Sequence, residues 1–229
     1  MKKIILILPA LNEASVIGQT LQGVKRVAKN LPGKSEIVVV NDGSKDKTAA
    51  VAKKFGATVL SHKINRGLGA SLSTGLKYAR MQQADFAVTL DSDGQHDPED
   101  IKKIIRPLIA GEADIVIGSR LLEPQGRMPL LRQINNRLFN LFTLLIFGMY
   151  TTDSLSGFRG FSKPAIDKLE LKTERMEVSN EFFSEIKRNK FRFTEVPIQV
   201  IYTPYSIRKG VRPGNVFAII FRLLLRLFR

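Results

Sequence analysis

Asp91, Ser92, Asp93, Gly94 and Gln95 follow directly on an apolar run, Phe86 to Leu90, whose length and β-branched content suit a buried strand. In an extended chain alternate side chains share a face, so Asp91, Asp93 and Gln95 fall to one side and offer three oxygen ligands. Hard oxygen donors suit magnesium or manganese, and a chain without cysteine has no thiolate zinc site. The same five residues also suit a solvated acidic turn, since carboxylates are ordinary turn residues. The choice between the two rests on the rest of the chain.

Two further strand ends carry polar residues. The first runs Pro9-Ala10-Leu11-Asn12-Glu13 and the second Asn41-Asp42-Gly43-Ser44. Asn12 and Ser44 suit turn formation and helix capping. Glu13 and Asp42 are not needed as caps beside such neighbours, and acids at adjacent strand ends are placed to read the ribose and base of a nucleotide. Asn65-Arg66-Gly67-Leu68-Gly69-Ala70 is glycine-rich, but it lacks the setting of a dinucleotide fingerprint, because it does not follow the first strand and Asp85 precedes its own strand. Close helix packing is the expected task of those glycines, with Arg66 available to a phosphate.

The elements that must position these residues alternate. Strands are expected at Ile4 to Leu8, Glu36 to Val40, Thr58 to Leu60, Phe86 to Leu90 and Ile115 to Ile117, and helices at Ala14 to Lys29, Asp46 to Phe55, Gly69 to Arg80 and Pro98 to Ala110. That alternation predicts an α/β fold with a mainly parallel sheet, whose ligands bind outside the carboxyl ends of the strands. Beyond Arg120 come a Gly/Pro-punctuated connection, an apolar helical stretch over Leu130 to Tyr150, a short hairpin or strand within TTDSLSGFRGFS, a helix near Val178 to Arg188 and a strand near Thr194 to Tyr202. The residues GNVFAIIFRLLLRLFR close the chain as one more helix.

The 229 residues, 44% hydrophobic and 25% charged, suit one large globular domain with a small appendage. The absence of cysteine excludes a disulfide framework and fits a reducing compartment. A net charge of +15 directs the chain to polyanions: nucleic acid, an anionic membrane surface or phosphorylated substrates. The N-terminal apolar run is cut off by Pro9, Asn12 and Glu13, too early for a signal peptide, and no stretch offers the roughly 20 uninterrupted apolar residues of a spanning helix.

Taken in order, PALNE, VVNDGSKDKT, NRGLGASLSTGL, DSDGQHDPED, ADIVIGSR, SGFRGF and EVP resemble the inverting family 2 glycosyltransferases, specifically the dolichyl- or polyprenyl-phosphate mannose synthases. The resemblance runs from about Ile4 to about Lys209. It implies a GT-A fold, a Rossmann-like nucleotide-diphospho-sugar transferase architecture, over residues 1–210, followed by a membrane-associating amphipathic helix over 211–229. It also implies a nucleotide-sugar donor, GDP-mannose before UDP-glucose or UDP-N-acetylglucosamine, a magnesium or manganese ion and a polyprenyl or dolichyl phosphate acceptor. By matching position, Pro9, Leu11, Glu13 and Asp42 border the donor base and ribose. Asp91, Asp93 and Gln95 match the metal ligands with Ser92 among them, and Arg120 matches a phosphate-binding arginine. Arg132 is a further phosphate contact, and Ser156 to Arg159 match the acceptor-side segment. Asp153 and Arg159 equally suit a structural ion pair closing that hairpin.

The chain departs from the family in two places. Asn41 stands where a first aspartate is common, leaving Asp42 as the acid. After EVP, Thr203 stands at an arginine position and Arg208-Lys209 replace a Ser-Lys pair, so the resemblance implies Lys209 as the candidate diphosphate ligand and Arg208 as the substitute cation. In the last helix Arg222, Arg226 and Arg229 form a basic stripe beside Phe217, Phe221, Leu224 and Phe228, as in an interfacial helix or one packed on the domain. Leu138 to Met149 likewise suit either the membrane surface or a buried face. A peripheral enzyme on the cytoplasmic face of a membrane is the resulting expectation. A nucleic-acid-binding protein finds no support beyond charge, as the basic residues are dispersed and base-stacking motifs are missing. A membrane-bound sugar-nucleotide binder without turnover is the alternative raised by Thr203.

Overall fold

Six of the eight residues of the first strand, β1 (Lys3–Ala10), are buried apolar side chains, and a strand apolar on both faces needs a layer on each side. The computed structural model describes residues 1–123 and 130–201, and there β1 has both. Ile4, Leu6 and Leu8 pack with Ile17, Leu21 and Val24 of helix α1 (Ile17–Ala28) and with Ile104 and Leu108 of α4 (Ile101–Ile109). Ile5 and Ile7 turn to the other layer, where they meet Leu72 and Leu76 of α3 (Leu68–Met81) and share a core with Ile166 of α6 (Lys163–Lys168) and Phe182 of α7 (Val178–Asn189).

The other strands are β2 (Lys34–Asn41), β3 (Thr58–Ser61), β4 (Phe86–Thr89), β5 (Ile115–Ser119), β6 (Arg159–Ser162) and β7 (Phe193–Pro197), ordered β3-β2-β1-β4-β6-β5-β7 in one sheet. The first four are mutually parallel in that order, and β7 is parallel to β5. β6 runs antiparallel between β4 and β5. Of the expected hairpin or strand, the strand is present: a loop at 151–158 followed by one inserted strand. α5 (Leu130–Phe147) joins β5 to β6, and β6 enters the sheet between β4 and β5.

The elements expected before Ile201 are present, with their ends moved by local bonds. α2 (Thr48–Lys54) starts after Asp46 because that carboxylate accepts the backbone N–H groups of Thr48 and Ala14, each at 3.0 Å. A 3₁₀ turn at Pro98–Asp100 precedes α4, with Asp97 accepting from Glu99 N at 2.9 Å. β7 stops at Pro197, short of Tyr202. Past it Gln199 N donates to the Asp100 carboxylate at 2.6 Å and Val200 bridges to His96. Gly67 and Gly69 do pack closely: a Cβ on either would collide with the backbone of Thr173 or Glu174. Arg66 pairs with Glu174 at 2.8 Å.

Candidate active site

The chain leaves β1 toward β2 and β3 on one side and returns to place β4 on the other, so the carboxyl ends of β1 and β4 bound a topological switch point. Pro9, Leu11 and Glu13 come from the β1 end, and Asp91 to Gln95 from the β4 end. Ser92 joins the two ends, donating its hydroxyl to Pro9 O at 2.7 Å while its own carbonyl accepts from Thr20 Oγ1 at 3.2 Å.

The acidic turn is a turn and not an extension of β4. The strand ends at Thr89, Gly94 adopts φ +78°, and Gln95 N donates back to Asp93 Oδ1 at 3.0 Å. Strand alternation therefore does not gather Asp91, Asp93 and Gln95; a glycine-enabled reversal does. The Gln95 amide nitrogen also donates to Asp93 Oδ2. Burial and the neighbouring Asp91 charge push the Asp93 carboxyl above its ordinary value, against the hydrogen bonds from Gln95. Burial also acts to raise Asp91, but the hydrogen bond and charge of His96 and the charges of Arg120 and Arg159 hold it below the ordinary value. Two carboxylates, one of whose charge opposes ionisation of the other, with an amide beside them, fit a hard divalent cation. Among the described residues no cluster of three or more His, Cys, Asp or Glu side chains is spaced for a metal; a cation at this turn would have two carboxylates and one amide as donors.

Four expectations change at the rest of the site. Asp42 is 4% exposed, and its oxygens receive His62 Nδ1 at 2.7 Å, Arg66 N at 2.9 Å and Gly67 N at 2.7 Å. It braces the loop entering α3, because that loop's N–H groups need an acceptor, and is not held open to a base. The Asp153–Arg159 pair is replaced by Asp153 with Arg120, whose Nε and Nη2 each donate at 2.6 Å and whose backbone N donates at 3.0 Å. Arg159 is 3% exposed; it donates to Ser154 O at 2.9 Å and lies 4.2 Å over the Phe182 ring. Burial lowers its pKa to about 10 against the raising charges of Asp153 and Asp91, so it acts as a buried charge and not as an open acceptor-phosphate contact. Ser156 is 1% exposed, and its hydroxyl accepts from Phe158 N at 3.3 Å, so it shapes the loop from within.

The remaining positions lie as follows. Glu13 is buried with its backbone N–H on Thr48 Oγ1 at 2.8 Å. Arg120 ends β5 with 19% of its side chain exposed. Arg132 is half-buried in the first turns of α5. Arg208, Lys209, Thr203 and the expected C-terminal helix lie outside the described residues.

Three contributors escaped sequence reasoning. The chain has two histidines, and each faces a carboxylate of this crevice: His62 on Asp42, and His96 Nε2 on Asp91 Oδ2 at 3.1 Å. Their scarcity and the adjacency of His96 to the acidic turn were the available signals. Glu195 of β7 is the third: Thr151 Oγ1 donates to it at 2.6 Å, Thr152 N at 3.0 Å and Thr152 Oγ1 at 2.9 Å, fixing the loop that delivers Asp153. No local signal marks it, as its partners are more than forty residues away.

Comparison with known proteins agrees with this geometry. The chain is 38% identical over 247 residues to a UDP-N-acetylglucosamine–dolichyl-phosphate N-acetylglucosaminyltransferase of Methanococcus voltae, covering 98% of this chain and 96% of that one. It is 28% identical over 212 residues to an undecaprenyl-phosphate mannosyltransferase of Micrococcus luteus, covering 87% and 84%. Its fold superimposes with a TM-score of 0.75 on glucosyl-3-phosphoglycerate synthase from Mycobacterium tuberculosis, crystallised with Mn2+ and UDP-glucose, at 20% identity over 99% of this chain and 78% of that one. The pattern of Glycosyl transferase family 2 matches residues 5–170, and with its switch-point crevice and mixed sheet this chain belongs to that family and has the GT-A fold.

Proposed function

We propose that the protein transfers a sugar, with inversion, from a nucleoside diphosphate to the phosphate of a polyprenyl or dolichyl carrier at a membrane surface. One observation carries this reading: helix α5 has two faces. Asn136 on its buried face donates to Asp153 at 2.7 Å, and Asp153 holds Arg120 at the crevice. Its other face exposes Leu130, Ile134, Leu138, Leu141 and Leu145, between 45% and 73% each. Those residues recur at spacings of four, four, three and four, a single apolar stripe. A polar crevice and an exposed apolar helix joined through one aspartate suit a substrate with a phosphate head and a hydrocarbon tail.

Among the described residues no helix is long and apolar enough to cross a membrane, so α5 would lie in the interface, as would the expected helix at 211–229. The basic surface of a +15 chain adds attraction to an anionic leaflet.

In the reaction the acceptor phosphate oxygen attacks the anomeric carbon, and the bond from that carbon to the donor diphosphate breaks with its electron pair on the leaving group. Asp91, Asp93 and Gln95 would hold a magnesium or manganese ion, which supplies Lewis-acid stabilisation of the leaving diphosphate when bound. Arg120, oriented by Asp153, directs a fixed cation at the phosphates, and Lys209 adds a second. A phosphate monoester, with a second pKa near roughly 6, is mostly dianionic at neutral pH and needs no general base.

The motif resemblance favours GDP-mannose as donor. The 38% identical relative, matched over 96% of its length, gives UDP-N-acetylglucosamine the stronger support. Incubation of the protein with radiolabelled UDP-N-acetylglucosamine, UDP-glucose or GDP-mannose and a polyprenyl phosphate, with and without magnesium or manganese, tests the reading. Metal-dependent label in the organic phase from one donor is expected. Failure of all three donors to label the lipid rejects it, in favour of the non-catalytic sugar-nucleotide binder.

A further inference from the structure

The two carboxylates of the acidic turn are held differently. Among the described residues, Asp93 receives hydrogen bonds only from Gln95, two residues away in the same turn. Asp91 is approached from outside the turn. His96 Nε2 lies 3.1 Å from Asp91 Oδ2, and since a carboxylate only accepts, that nitrogen carries the proton. On the other side, a Cβ at Gly157 would stand 2.7 Å from Asp91 Oδ1.

His96 is itself fixed. The residue is 4% exposed, its ring is tilted 60° against Phe158 at 5.0 Å, and its Nδ1 is buried without a hydrogen-bond partner. Its backbone bridges to Val200, and Ile201 N donates to Gln95 O at 2.8 Å. A buried ring that leaves one polar atom unpaired while aiming the other at a carboxylate is retained at a cost for what that second atom does.

From this geometry we infer that His96 is a positioning residue: together with the close approach of Gly157 it locks the Asp91 carboxylate in the orientation that faces a cation–diphosphate. The inference rests on the proposed role of Asp91 as a cation ligand. It assigns a reason for histidine directly after the acidic turn and for glycine at position 157. Neither residue need touch substrate. Partners that orient a ligating carboxylate typically change metal affinity about 10–100-fold when removed.

The test measures Mn2+ binding by electron paramagnetic resonance, counting free ion with and without UDP and with and without GDP, on the full chain and four variants. His96→Phe keeps a ring against Phe158 but has no donor; His96→Gln returns a donor amide; Gly157→Ala presses on Asp91 from the opposite side; Asp91→Asn removes the ligand charge. Expected is a 10–100-fold weaker Mn2+ affinity in His96→Phe, recovery of most of it in His96→Gln, and weakening in Gly157→Ala, whose His96 is untouched. Wild-type Mn2+ affinity in His96→Phe, with Asp91→Asn impaired, overturns the inference and leaves the metal reading standing. Wild-type affinity in Asp91→Asn overturns the metal reading and the inference with it. If His96→Phe melts early, the Gly157→Ala and His96→Gln arms decide: no weakening in the first together with no difference between the second and His96→Phe also overturns it.

Discussion

The two sides of the crevice are built on different principles. The ends of β1 and β2 are laced together by short polar groups: Asn12 N donates to Ser44 Oγ at 3.0 Å, Lys45 N to Asn12 Oδ1 at 2.8 Å, and Glu13 N to Thr48 Oγ1 at 2.8 Å. These bonds join consecutive strand-to-helix turns, and most are exposed or partly so. Across the crevice, the loop at 151–158 holds formal charges inside the protein. Asp153 is fully buried and takes Arg120 and Asn136, while Arg159 is buried over Phe182. One side is held by turn chemistry that many sequences can supply. The other depends on particular charged partners, and removing one leaves the other uncompensated in a low-dielectric setting.

That contrast can be broken by substitution. At its hinge, Asp93→Ala should lower metal-dependent sugar transfer by about 100–1000-fold with the circular dichroism spectrum unchanged; equal transfer by the variant would remove the acidic turn from the chemistry. Asp153→Ala should cost about 3–5 kcal/mol in urea unfolding, toward the lower figure because Arg120 retains some solvent contact. Ser44→Ala, on the laced side, should cost about 1 kcal/mol or less, as an exposed bond has water to replace it. Similar losses from both variants would erase the distinction drawn between the two sides.

Further expectations sharpen it. Leu138→Gln combined with Leu145→Gln should weaken liposome sedimentation about tenfold, because two partly exposed leucines would lose their apolar insertion, while UDP binding by thermal shift stays unchanged. Loss of both would mean that the stripe supports the fold and not a membrane. The smallest effect concerns acid. Burial pushes the Asp153 carboxyl up, but Arg120 and Asn136 hold it below its ordinary value. A lowered native pKa contributes stability above the unfolded value near roughly 3.9, and that contribution is lost as pH falls through the native value. Asp153→Asn should therefore flatten the acid limb of stability below about pH 4; an unchanged limb would mean that other carboxylates set it.

Legibility followed the same division. Val38 to Val40 and Ile4 to Leu8 are buried apolar runs between turn residues, and such strands are readable because every residue of the run obeys one constraint. Asn12, Ser44 and the acidic turn were readable as strand-end chemistry. The bonds of Asp42 were not readable, since its partners Arg66 N and Gly67 N belong to a loop after the next strand and backbone donors carry no sequence signature. For Asp153 the nearby Arg159 was one candidate partner, and its partner is Arg120, thirty-three positions away.

What the sequence determined by itself is the local order: alternating strands and helices, polar residues at the carboxyl ends, and the ordered motifs of a family 2 glycosyltransferase. Those properties depend on neighbours along the chain, where burial, periodicity and turn propensity act. The tertiary structure alone decided that β6 enters the sheet antiparallel, that Asp153 holds Arg120, that His96 meets Asp91, and that α5 turns its leucines outward. Each is a choice between chemically similar partners, and only distance in the folded chain separates them.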